Sequence, residues 1–78
     1  MGEEVSLRER VFRELLLHPD YGPSDMARHL GAKYSTVSVI YSKLCEDGFL
    51  VRESRGKYSL NIPRFILDLY DRLKRLEG

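Results

Sequence analysis

The sequence predicts an α+β fold in which three helices precede a β-hairpin and a fourth helix follows it. Three observations carry this expectation. Apolar residues recur at helical spacing in successive stretches between residues 6 and 47. Two short runs, residues 49–53 and 57–60, flank Ser54-Arg55-Gly56, where the glycine supplies the positive φ that a tight hairpin needs. Around and beyond Pro63, a residue favoured in the first turn of a helix, Ile62, Ile66, Leu69, Leu73 and Leu76 recur at alternating spacings of four and three.

Each element has its own local reasons. Residues 6–17 place Val5, Val11, Phe12, Leu15 and Leu16 on one side and Arg8, Glu9, Arg13 and Glu14 largely outside. Ser6 with Glu9 three residues on is a capping-box pair. Pro19 ends this helix, because the residue before proline avoids the helical region. The connector Tyr21-Gly22-Pro23 leads to Ser24, the expected N-cap of a second helix over 25–30, and a short strand around 21–23 pairing with the hairpin is a further expectation. Gly31 closes the second helix. A third helix starts between Lys33 and Ser35, turns Val37, Ile40, Tyr41 and Leu44 inward, and stops at Gly48. The expected organisation is a domain over 1–62 and an amphipathic C-terminal helix over 63–78 that serves dimerisation.

Composition bounds the function. With 78 residues, 42% hydrophobic and 32% charged, the chain reads as one folded domain with little room for a large catalytic cleft. The longest apolar runs are three residues, so no membrane span or signal-peptide core is expected. A single cysteine forms no intrachain disulfide and fits a reducing, cytoplasmic setting. The absence of glutamine, one asparagine and an excess of arginine over lysine lean towards a thermophilic source. Net charge is only +1, but its distribution is uneven: residues 1–20 carry three Lys/Arg against five Asp/Glu, and residues 21–60 carry six against four. Any basic surface must come from the middle of the chain.

The middle also holds the informative motif. Ala27 is small enough for two helices to approach, Gly31 permits a left-handed turn, and Val37 and Ile40 pack the second helix of the pair back on the first. That order is a helix-turn-helix signature. The stretch SDMARHLGAKYSTVSVIYSKLCEDGFLVRESRGKYSL resembles the winged helix-turn-helix transcriptional regulators, especially small archaeal and bacterial members near the MarR and ArsR groups. The resemblance covers about residues 6–60. It implies that helix three enters the DNA major groove and that the hairpin, or wing, touches backbone or minor groove. Two departures stand out: Lys33 replaces the usual serine or threonine cap, and the wing is short.

If Val37, Ile40, Tyr41 and Leu44 face inward, the outer face of helix three presents Tyr34, Ser35, Thr36, Ser38, Val39, Ser42 and Lys43. Hydroxyls read bases or phosphates loosely, Val39 suits a thymine methyl, and Lys33 and Lys43 suit phosphates. No Arg, Asn or Gln lies on that face, so modest base specificity or shape readout is expected. The wing adds Arg52, Arg55 and Lys57, with Arg55 at the tip. The expected partners are double-stranded DNA and a second copy of the chain, joined through Ile66, Leu69, Tyr70, Leu73 and Leu76. The alternative is a winged-helix protein-docking module inside a nucleic-acid machine.

No nucleophile-base set, catalytic carboxylate pair, cofactor motif or effector pocket is visible, so no enzyme activity, cofactor or small-molecule effector is expected. His18, His29 and Cys45 are scattered, without H-x3-H or C-x2-C spacing, so no metal is expected. His18 reads as favouring a helix C-terminus, His29 as lying on an exposed face, Cys45 as a small hydrophobe, and Asp68–Arg72 and Asp71–Arg75 as ordinary surface pairs.

Overall fold

The computed structural model describes residues 6–77. Its order is α1 (Leu7–Leu17), α2 (Pro23–Leu30), α3 (Tyr34–Glu46), β1 (Leu50–Ser54), β2 (Lys57–Leu60) and α4 (Ile62–Glu77). The α+β class and the order of elements agree with the sequence expectation. Val5 and Gly78 lie outside the described residues.

Ser6 caps α1 by accepting a hydrogen bond from the Glu9 amide at 3.2 Å. The Glu9 carboxylate lies 3.4 Å from Arg72 of α4. The start of α2 corrects the sequence reading. Gly22, not Ser24, occupies the cap position, no side chain caps the helix, and Pro23 fills its first turn. Proline at that position already has a helical φ and lacks an amide that would go unpaired, so it starts the helix two residues early. At the other end Gly31 is left-handed (φ 65°), and the amides of Gly31 and Ala32 turn back onto the carbonyls of Arg28 and Ala27. Phe49 and Gly48 close α3 in the same way on Leu44 and Cys45.

The sheet has two antiparallel strands among the described residues, so the expected third strand at 21–23 does not form. Leu50 pairs with Leu60 and Arg52 with Tyr58, and then the register slips so that Ser54 faces Lys57. β1 therefore carries one extra residue, a bulge that twists the hairpin end. The segment 21–23 passes under that end instead. A Cβ on Gly22 would sit 2.7 Å from the Gly56 carbonyl oxygen, so only glycine fits there.

The core joins all layers: Val11, Phe12 and Leu15 from α1, Met26 and Ala27 from α2, Val37, Tyr41 and Leu44 from α3, then Phe49, Leu50 and Phe65. Phe12, Phe49 and Phe65 form a ring cluster with centroids 4.7–5.0 Å apart. Phe65 thus ties α4 into the body, a role the seam pattern did not reveal. Asn61 reinforces the tie by donating its side-chain amide to the Gly48 carbonyl at 2.9 Å, and Arg64 lies over the Phe49 ring.

Beyond Phe65, Arg72 of α4 returns to Glu9 and the Phe12 ring of α1, but the apolar seam stays open. Phe65 is its one buried residue, whereas Ile66, Leu69, Tyr70, Leu73 and Leu76 are each close to half exposed or more. The radius of gyration, 13.1 Å, exceeds the roughly 11.5 Å of a compact chain of this length. Among the described residues no helix is long and apolar enough to cross a membrane.

Candidate nucleic-acid interface

α3 presents its inner face to the core through Val37, Tyr41 and Leu44, with Ile40 partly covered. Its outer face follows from the same 3.6-residue period. Lys33, Tyr34, Ser35, Thr36, Val39, Ser42 and Lys43 are exposed, and Ser38 is half-buried. On the hairpin Arg52, Arg55 and Lys57 are all exposed.

These residues separate into two groups. Tyr34, Ser38 and Ser42, one helical turn apart along α3, line a groove of about 410 Å³ whose opposite wall is Arg52, Arg55 and Tyr58 of the hairpin. Gly22, Pro23, Ser24 and Asp25 close one end, so the uncapped N-terminus of α2 opens onto the groove. Lys33, Ser35, Thr36, Val39, Lys43 and Lys57 lie outside it. Ser24 and Tyr58 join the groove without having been singled out for it in the sequence. Their placement depends on the hairpin folding back over α2, which no local spacing encodes.

The walls are held rigidly. Tyr41 is fully buried, donates its hydroxyl to the Tyr21 carbonyl at 2.8 Å, and meets the Tyr58 ring edge-on at 5.1 Å. Burial, with the nearby Tyr58 and Asp25 adding to it, pushes its phenol well above the ordinary value. The segment before α2, the inner side of α3 and β2 are thereby linked behind the groove.

Among the described residues, some cations are committed to carboxylates and those of this surface are not. Arg8 pairs with Asp47, Arg28 with Asp25, and Arg72 with Asp68 and Glu9. Lys33, Lys43, Arg52, Arg55 and Lys57 form no ion pair with another described residue. Hydroxyls on one wall and two uncommitted guanidinium groups on the other can hydrogen-bond and neutralise a polyanion. Asp25, committed to Arg28 at 2.7 Å, is the one carboxylate in the groove.

Other side chains follow their sequence readings in part and add contacts to them. His29 is not merely exposed, because its Nε2 lies 2.9 Å from Glu14 Oε1, and His18 Nε2 approaches the same oxygen at 3.8 Å. The hydrogen bond with His29 holds the Glu14 carboxyl below its ordinary pKa, against some desolvation. Asp68–Arg72 forms at 2.9 Å, while Asp71–Arg75 is not among the ion pairs of the described residues. Burial pushes the Cys45 thiol up, with Arg52 opposing, which favours the thiol over the thiolate. Comparison with known proteins adds nothing to this geometry: no protein-family model, curated protein or solved structure matches the chain.

Proposed function

We propose that the chain is a non-enzymatic, sequence-specific DNA-binding regulator of the winged helix-turn-helix kind, acting as a homodimer in transcription control. The observation that carries the reading is the groove: hydroxyl-bearing residues of α3 face Arg52 and Arg55 of the hairpin across it, and neither arginine pairs with another described residue. In this reading α3 lies in the major groove with Thr36, Ser38 and Val39 near base edges, Tyr34 and Ser42 on backbone, and Lys33 and Lys43 on phosphates. The hairpin is the wing, with Arg52, Arg55 and Lys57 on flanking phosphates or in the minor groove. The absence of Arg, Asn and Gln from the outer face of α3 leaves base discrimination to hydroxyls, Val39 and DNA shape.

The homodimer rests on α4. Its seam of Ile66, Leu69, Leu73 and Leu76, flanked by Tyr70, is exposed along its length, and Leu76 is 84% exposed. A seam at alternating spacings of three and four is self-complementary across a two-fold axis, so a second copy covers it without any new surface chemistry.

Fluorescence anisotropy with unrelated duplexes at two salt concentrations tests the DNA reading. Binding that weakens steeply with salt, followed by enrichment of a preferred sequence from a random pool, is the expected result. Absence of salt-sensitive binding would favour the protein-docking alternative. The half-exposed apolar Val39 and Val51, on α3 and β1, are the observation on its side.

A further inference from the structure

Away from the groove, the end of α1 and the side of α2 bring three metal-ligating side chains together. Glu14 lies on the last turn of α1 and His18, four residues on, is the residue that caps its end, while His29 reaches across from α2. One ligand atom from each of the three residues lies within 4.8 Å of the other two. The carboxylate is the most covered of the three, with 18% of its side chain exposed, and both imidazoles turn the same nitrogen towards it.

The rings are held in place by more than the carboxylate. His18 stacks on Tyr21 at 4.5 Å and 8° from parallel, and His29 meets the edges of both rings at 5.1 and 5.4 Å. Tyr21 is in turn fixed through its carbonyl by the buried Tyr41 hydroxyl. Two imidazoles and one carboxylate, restrained in orientation before anything binds, make a preorganised donor set.

We propose that Glu14, His18 and His29 form a binding site for zinc or a similar divalent transition metal, with three protein ligands and a fourth position left to water. The donor types argue for this class: imidazole nitrogens suit zinc, copper and nickel, while calcium and magnesium prefer oxygen alone. Zinc bonds of about 2.0–2.2 Å in a tetrahedron place ligand atoms roughly 3.3 Å apart. The observed separations of 2.9 and 3.8 Å from Glu14 Oε1 fall on either side of that figure. The metal clamps the C-terminal turn of α1 to α2, the helix that leads through Gly31 into α3. The proposal stands independently of the DNA-binding reading, because it needs neither the groove nor a partner.

The test uses untagged protein and zinc ions in competition with a chromophoric chelator, on wild type and on Glu14→Gln, His18→Ala and His29→Ala. One zinc per chain is expected, with a dissociation constant of about 1 µM or tighter. Changes in the outer shell alone weaken metal sites by about 10–100-fold, so each ligand variant should lose about 100-fold or more. Cobalt should give the intense visible bands of a four-coordinate site in wild type and lose them in the variants. Zinc should also raise the melting temperature of wild type alone. Glu14→Gln keeps the helix pattern and checks that loss of binding is not loss of fold, as read by circular dichroism. Equal zinc affinity in wild type and a His18→Ala, His29→Ala double variant, or a pale six-coordinate cobalt spectrum, overturns the proposal.

Discussion

Tyr41 shows how much one side chain can organise. Its ring fills the core, its edge meets Tyr58, and its hydroxyl reaches the Tyr21 carbonyl. Replacing it with phenylalanine keeps the ring and removes one hydrogen bond, so Tyr41→Phe should cost about 1 kcal/mol at neutral pH. The phenol titrates above its ordinary value because burial disfavours the phenolate. A raised folded-state pKa means a contribution to stability that is whole below about pH 10, the unfolded value, and is lost as pH rises towards the folded one. Urea melts at pH 8 and pH 10.5 should therefore show a larger alkaline loss for wild type than for Tyr41→Phe. The other four tyrosines contribute alike to both proteins and cancel. Identical losses would show that Tyr41 does not carry the alkaline sensitivity.

At the scale of elements, α4 has two faces with different tasks. Phe65→Ala removes the ring packed on Phe12 and Phe49, and should cost about 3–5 kcal/mol, enough to unfold much of so small a domain. Leu69→Asp and Leu73→Asp alter residues that are 48% and 61% exposed in the single chain. They should leave its melting little changed when dilute and abolish self-association in sedimentation. A wild type that stays monomeric at tens of micromolar, on the order of weak-dimer constants, counts against the α4 dimer. The sequence revealed the seam but not the anchor. Phe65 falls outside the alternating three-and-four pattern, and only the aromatic partners, distant in sequence, give it meaning. The same limit hid the Glu14, His18 and His29 cluster: the four-residue spacing is local, but His29 arrives through the angle between α1 and α2. Helix ends were legible wherever glycine or serine set them, at Ser6, Gly31 and Gly48. The start of α2 was misread because Pro23 competes with Ser24 as its start signal. Gly22→Ala probes that junction, since its Cβ would meet the Gly56 carbonyl. We expect a loss of about 1–3 kcal/mol as the hairpin end is pushed away from α2. An unchanged melting temperature would mean the hairpin end yields freely.

For the whole molecule, near-neutral net charge does not decide the partner, because opposite charges are spent where they pair. Arg8 and Arg72 are paired with carboxylates away from the groove and Arg28 with Asp25 at its end, whereas Arg52 and Arg55 lie across the groove from α3 with no described carboxylate partner. The local field there is more positive than a net charge of +1 suggests. The sequence singled out Arg55 at the tip of the wing, and the geometry adds a ranking of the other cations. Arg52 and Arg55 line the groove and Lys57 does not. If DNA lies in the groove, Arg52→Ala and Arg55→Ala should each weaken binding to all duplexes and lower the slope of log affinity against log salt by about 0.9, the release of one phosphate's counterions. Lys57→Ala should change the slope by less. Thr36→Ala, Ser38→Ala and Val39→Ala should leave the slope alone and shift the preferred sequence, each at a cost of about 1–3 kcal/mol in discrimination and no more than about 0.5 kcal/mol in stability. Anisotropy titrations at four salt concentrations on one preferred and one unrelated duplex separate the two behaviours. Equal slopes in wild type, Arg52→Ala and Arg55→Ala would remove the groove from the DNA interface. Unchanged sequence preference in all three α3 variants would remove α3 as the reader and leave a protein-docking surface as the better account of that face.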